Sequence, residues 1–229
     1  MPYVYEYPHP AVTTDAILFT VRAGRLEVLL IQRKHDPYAG RWAFPGGYLD
    51  YEEDLLACAR RELEEETGIR NVELEQFHAA GTPGRDPRER NISILHMGLV
   101  HPDAVTPVAG DDAGAVGWFN ARRPPPLAFD HKDLLALARR RLAARIMNSD
   151  AALGLLPTRF KLDELQRVYE AILNKRLDRN EFQRVIQALD WLTPTGEYAD
   201  DARRGERLYR SARRSRAPSR RRKSGSKRG

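Results

Sequence analysis

Glu62, Glu65 and Glu66 are the side chains best placed by type and spacing to do chemistry. They lie within Leu55 to Thr67, a run without Gly, Pro or a β-branched series, which predicts a helix with Asp54 as N-cap and Gly68 at C′. At about 100° per residue, Leu56, Ala59 and Leu63 share one face and should meet a core. The glutamates occupy an adjoining arc, because spacings of three and four residues bring side chains together. Three carboxylates so close repel one another. A surface helix balanced by pairs such as Arg61 with Glu65 is one answer, and a bound divalent cation is the other. Pairing alone leaves Gly47, Gly68 and Glu53 unexplained, which favours the cation, and all-oxygen ligands select a hard ion, Mg²⁺ or Mn²⁺.

The elements that must position this helix follow from the flanking sequence. Ala11–Thr20 and Leu26–Arg33 are short and rich in β-branched residues or Leu, separated by the turn-like Arg22 to Arg25, and predict neighbouring strands. Trp42 and Phe44 alternate around Ala43 as a short strand, and Pro45-Gly46-Gly47 predict a bend into the helix. Strands are expected over Val72–Ala79, Asn91–Val100 and Ala115–Phe119, and a helix over His131–Met147. Between two of these strands, the loop Gly81–Arg90 holds Arg85 and Arg88, which could clamp a diphosphate bidentately or simply form local ion pairs. Residues 1–150 thus predict an α/β sandwich with a mixed sheet.

A second unit is expected at 155–210. Leu162, Leu165, Val168, Tyr169, Ile172 and Leu173 form a helical stripe, and a second helix from about Arg179 follows with Asp178 as its cap. Its other side carries Arg179, Asn180, Gln183 and Arg184. Trp191-Leu192, a turn at Pro194-Thr195-Gly196, and Arg207-Leu208-Tyr209-Arg210 complete a two-stranded wing. Helix, turn, helix and ribbon form a winged-helix pattern, with Arg179, Asn180, Gln183, Arg184 and Arg207 as candidate contacts to double-stranded DNA. Pro157–Arg210 carry 11 basic and 10 acidic residues, so charge by itself argues weakly for DNA, and a helical unit for dimerisation or for shaping the site is the alternative.

The chain's net charge of +6 comes from its end. Residues 211–229 hold nine basic and no acidic residues, leaving 29 basic against 32 acidic, a net −3, in residues 1–210. Such a segment predicts a disordered basic tail, either solvated or holding nucleic acid without sequence preference. No apolar run approaches the ~18 residues needed to cross a bilayer, and no signal-peptide core stands at the N-terminus. Cys58, the single cysteine, excludes an intramolecular disulfide and reads as a packing residue in a reducing, cytoplasmic setting.

Gly47, Glu53, Arg61-Glu62-Leu63, Glu65-Glu66 and Gly68-Ile69 together resemble the signature of the Nudix hydrolases. Tyr5-Glu6-Tyr7-Pro8, Gly40-Arg41-Trp42, Pro83-Gly84-Arg85-Asp86-Pro87-Arg88 and Leu127-Ala128-Phe129-Asp130-His131 resemble the ADP-ribose pyrophosphatases of that superfamily. Leu165–Leu173 and Arg207–Arg210 resemble the winged helix of Nudix-type regulators of NAD metabolism. The resemblance implies that Glu62, Glu65 and Glu66 hold Mg²⁺ (or Mn²⁺) with a backbone carbonyl near Gly46 or Gly47. It implies that Arg61 orients the carboxylates through Glu53 or Glu65. The residue taking the proton from water is left open among Glu53, Glu66, Asp111 and Asp112. Arg85 and Arg88, with Arg33 a weaker candidate, are expected on the phosphates or terminal ribose.

Two functions are therefore expected. One is Mg²⁺-dependent cleavage of the pyrophosphate of ADP-ribose or a related nucleoside diphosphate derivative. The other is a DNA-binding regulator sensing such a ligand. The partners are that derivative, double-stranded DNA and a second copy of the chain in a homodimer, with no membrane.

Overall fold

A computed structural model describes residues 5–110, 113–199 and 206–212. Strand β1 (Ala11–Arg22) is the axis of the first unit. It pairs antiparallel with β2 (Arg25–Arg33) across the Ala23-Gly24 turn and parallel with β6 (Asn91–Leu99). β3 (Trp42–Ala43) and β7 (Ala113–Asn120) join β2, β4 (Gly46–Tyr48) joins β1, and β5 (Leu74–Ala80) closes the other edge beside β6. The sheet is mixed. The bend expected at Gly46-Gly47 is instead a strand, because Thr13–Asp15 offer an antiparallel partner to Gly46–Tyr48.

Strand β1 is buried without a break from Thr14 to Thr20 because both of its faces are covered. Ala16 and Leu18 face Ala59 and Leu63 of helix α1 (Leu55–Thr67), whereas Ile17 and Phe19 face Leu134, Leu135, Ala138 and Leu142 of helix α2 (His131–Asn148). The product is an α/β/α sandwich. Helix α1 ends as its sequence predicts: Asp54 Oδ1 accepts from the amides of Leu56 (2.9 Å) and Ala57 (2.8 Å), and Gly68 adopts φ 69°.

The second unit contains α3 (Leu162–Leu173), α4 (Arg179–Gln187), β8 (Leu192–Tyr198) and β9 (Arg207–Ser211), a winged helix. Asp178 caps α4 through the Glu181 amide (2.8 Å). The wing turn expected at Pro194 to Gly196 lies inside β8, where Pro194 faces Tyr209 and a bulge with Gly196 at φ 82° precedes Tyr198. A left-handed glycine inside a strand marks a bulge as readily as a turn. Ser211 completes β9, one residue past the expected limit at 210, and of the disordered tail expected over 211–229 all but 211 and 212 lies outside the described residues.

A short 3-10 turn, Asp150–Leu155, joins the units. Its Ala152 and Leu155 are buried in the same cluster as Phe19, Leu142, Leu165, Ile172 and Tyr209, so one hydrophobic core runs from the sheet through α2 into the winged helix. Among the described residues, no helix is long and apolar enough to cross a membrane.

Candidate functional site

A cleft of ≈ 330 Å³ opens beside the first turn of α2 and the β4 strand. Its lining includes Asp15, Arg33, Gly46, Glu66, Arg88 and Phe129.

Arg61 organises the α1 side of this region. Its guanidinium donates to Glu53 (Nη2 to Oε1, 2.6 Å; Nε to Oε2, 3.1 Å), to Glu62 (2.7 Å) and to Glu65 (3.2 Å). Hydrogen bonding to Arg61 holds Glu53 down at about 2, and Glu53 also accepts from the Asp50 amide at 2.9 Å. Glu66 faces the other way and accepts from the Gly46 amide (2.9 Å). Burial pushes the Glu66 carboxyl up to about 8 and raises that of Glu62 as well.

The three glutamates do not converge as the spacing suggested. Among the described residues no three metal-ligating side chains gather around one point. Helical spacing set the three carboxylates near one another, but Arg61 draws Glu62 and Glu65 toward itself while Gly46 holds Glu66. The donor chemistry nevertheless fits a hard cation, since burial penalises the ionised form of Glu62 and Glu66, a penalty that a cation beside them would offset. Gly47 is part of the fit: a Cβ there would meet Glu62 Oε1 at 2.3 Å.

Arg85, a candidate for the diphosphate, lines the cleft and is held in an ion pair. It donates to Asp130 twice (Nε to Oδ2, 3.0 Å; Nη2 to Oδ1, 2.8 Å) and to Asn91 Oδ1 (2.9 Å), and only 5 % of its side chain is exposed. Three of its five N–H groups are thus engaged, two of them by the bidentate carboxylate of Asp130, just ahead of α2. Arg88 rests on Asp86 (Nη2 to Oδ2, 2.7 Å), and its guanidinium lies 5.7 Å from the Phe129 ring centre. Arg33 lies on the same ring at 4.9 Å, where burial and then the neighbouring Arg88 charge lower its pKa. Two guanidiniums crowded on one aromatic ring make the cleft mouth suited to an anion. Asp111 and Asp112 lie outside the described residues.

Sequence reasoning missed the cleft floor. His131, the first residue of α2, accepts from the Phe44 amide at Nδ1 (3.1 Å) and stacks on the Phe44 ring. Burial drives it down to about 3, so it stays neutral. Its Nε2 lies 3.8 Å from Asp15, whose carboxylate accepts from the Ser93 hydroxyl and which burial raises to about 6. A charged residue within the apolar run Ala11–Phe19 was the available signal, because an aspartate inside a buried strand needs a reason.

On the winged helix, Asn180 and Arg184 are exposed on α4 and Arg207 is exposed at the start of β9. Arg179 is exposed as well and pairs with Asp163 (3.0 Å) and Glu206 (3.1 Å), and Gln183 reaches Asp163 (3.4 Å). The carboxylates they reach stand at the start of α3 and at the foot of the wing.

Comparisons with known proteins divide the chain at the same place. Residues 10–138 match the NUDIX domain model, and residues 152–211 match the NrtR DNA-binding winged helix domain model. The chain is 36% identical over 211 residues to the ADPR responsive transcriptional repressor NtrR of Acinetobacter baylyi, covering 90% of this chain and 84% of that protein. It is 36% identical over 129 residues to the ADP-ribose pyrophosphatase of Methanocaldococcus jannaschii, covering 56% of this chain and 73% of that protein. The Shewanella oneidensis NrtR structure, complexed with a 27mer DNA, superposes with a TM-score of 0.71 at 31% identity, over 87% of this chain and 93% of that one.

Proposed function

The chain belongs to the Nudix family and carries an NrtR-type winged helix, and from that premise we propose that it is a DNA-binding regulator responding to ADP-ribose or a related nucleoside diphosphate derivative. Helix α2 carries this reading. Its first turn, with Phe129 and Asp130 just ahead of it and His131 in it, borders the cleft and its ion pairs. Near its last turn, the Ile146 carbonyl receives the Tyr169 hydroxyl of α3 (2.9 Å). A ligand drawing on the cleft cations therefore acts on the helix against which the winged helix is packed. The DNA-bound species is a homodimer in this reading, with one α4 per half-site and Asn180, Arg184 and Arg207 reaching the duplex.

A test starts from a random duplex library selected with the full chain at ~150 mM salt, where non-specific phosphate contacts weaken. A recurring sequence motif, and its release by added ADP-ribose, is the expected result. Failure to enrich any motif sinks the regulator reading.

The carboxylate set supports a second reading, hydrolysis of the same ligand. Glu62, Glu65 and Glu66 would hold Mg²⁺, which supplies charge neutralisation at the phosphates and an acidified water. Arg61 holds Glu53 well below the usual carboxylate range and so makes it a weak base, which leaves Glu66, Asp111 and Asp112 as candidates for that role. AMP release from ADP-ribose, absent in Glu66→Gln, is the expected outcome; no release with intact wild-type protein removes this reading and leaves sensing.

A further inference from the structure

Asn91 is a buried polar side chain that neither reading uses. It opens β6, is 1% exposed and borders the cleft. Its Oδ1 accepts from Arg85 Nη1 (2.9 Å) and from Thr13 Oγ1 (3.1 Å). A guanidinium can only donate, so Arg85 fixes which end of the amide is oxygen. Among the described residues the Nδ2 end has no hydrogen-bond partner. A buried donor left unmet keeps the full cost of its lost hydration, so its persistence in a packed site points to a group from outside the chain.

Asp15 offers the opposite chemistry on the adjoining strand. β1 and β6 run parallel, with Ala11 opposite Asn91 and Thr13 opposite Ser93. Alternation along each strand then places Thr13, Asp15, Asn91 and Ser93 on one face of the sheet. Asp15 holds the Ser93 hydroxyl, lies 3.8 Å from His131 Nε2 and lines the same cleft.

A donor beside an acceptor excludes a phosphate at this spot, because phosphate oxygens would face the Asp15 carboxylate. A nucleobase is disfavoured as well. Among the described residues the cleft's rings already have partners: Phe44 is stacked on His131, centroids 4.5 Å apart, Phe129 is approached by Arg33 and Arg88, and Tyr48 by Arg88 at 5.4 Å. A hydroxyl both accepts and donates, and it requires no stacking face. We infer that Asn91 Nδ2 and Asp15 bind the hydroxyls of the ribose lying beyond the diphosphate, with Arg85 as the positioning residue that aims the amide. This rests on the reading of the ligand as a nucleoside diphosphate joined to a sugar.

Calorimetric titration of the full chain with ADP-ribose and with ADP, Ca²⁺ replacing Mg²⁺, tests it. ADP keeps the base, its ribose and the diphosphate but lacks the distal sugar. Asp15→Asn removes a negative charge and so should strengthen binding of any anion; a hydroxyl contact gives the opposite sign. The expected result is a roughly tenfold loss of ADP-ribose affinity in Asp15→Asn and in Asn91→Ala, with ADP binding not reduced. An equal fall for both ligands, or no fall for ADP-ribose, overturns the inference while leaving the ligand reading standing. Wild-type protein that binds neither ligand overturns both together. Should Asn91→Ala fail to fold, the near-isosteric Asp15→Asn decides alone.

Discussion

Glu66 has two demands on it that point in opposite directions. Burial raises its carboxyl from 4.5 to about 8, so the metal-free fold gives up stability as the residue ionises. For an acid whose folded pKa is raised, that stability is complete below the unfolded value and is lost as pH climbs through the folded one. Thermal melts of the metal-free protein should therefore fall between pH 5 and pH 8, and Glu66→Gln should flatten that fall. Adding Mg²⁺ should raise the melting temperature of wild type far more than that of the variant. Identical pH profiles for the two proteins would contradict the buried, uncompensated charge. Asp15 shows the same sign over a lower window, from 3.8 to about 6, and Asp15→Asn should remove the fall there.

Helix α1 depends on features at both ends, and its glycines differ in what they protect. Asp54→Ala removes an acceptor for two amides and should cost about 1 kcal/mol in chemical denaturation. At Gly46 an added Cβ would meet the Thr14 carbonyl oxygen at 2.1 Å, backbone that cannot move without breaking the β1–β4 pairing. At Gly47 it would meet the Glu62 carboxylate, the end of a flexible side chain. Gly46→Ala should thus lower stability, and Gly47→Ala should lower Mg²⁺ affinity with little loss of stability. If equilibrium dialysis and melts rank the two alike, the distinction fails. For α4, Arg184→Ala should weaken DNA binding measured by anisotropy, since Arg184 is exposed, whereas Gln183→Ala should act less because Gln183 already reaches Asp163.

One core joins the two units, and that decides how the whole molecule should unfold. Phe19, Leu142, Leu155, Leu165 and Tyr209 belong to a single buried cluster, and Arg122 Nη2 donates to the Ile172 carbonyl (2.7 Å) across the same boundary. Calorimetry should give one transition, with no separate melting of the winged helix. Tyr169→Phe deletes the hydroxyl that reaches Ile146 and leaves that buried carbonyl without this donor, at a cost of about 1 kcal/mol. On the proposed route through α2, the same variant should loosen the dependence of DNA affinity on ADP-ribose. Two resolved transitions in wild type would undo this account.

The sequence by itself determined helix α1, its Asp54 and Gly68 ends, the capped α4 and the strand order along the chain, because helical and strand periodicity and local caps act over a few residues. It also brought out the Arg61–glutamate grouping, whose members are within one or two helical turns or a short loop. What it could not contain was the competition among distant partners. Nothing near Arg85 in the sequence announces its pairing with Asp130, 45 residues away. Nor does anything near Arg179 announce Asp163 and Glu206 as its partners. Asp15, Asn91 and His131 join in one cleft floor only because β1 pairs parallel with β6 and α2 starts over that pair. Charged side chains take the strongest partner that three-dimensional packing brings within about 3 Å, and that choice belongs to the tertiary structure.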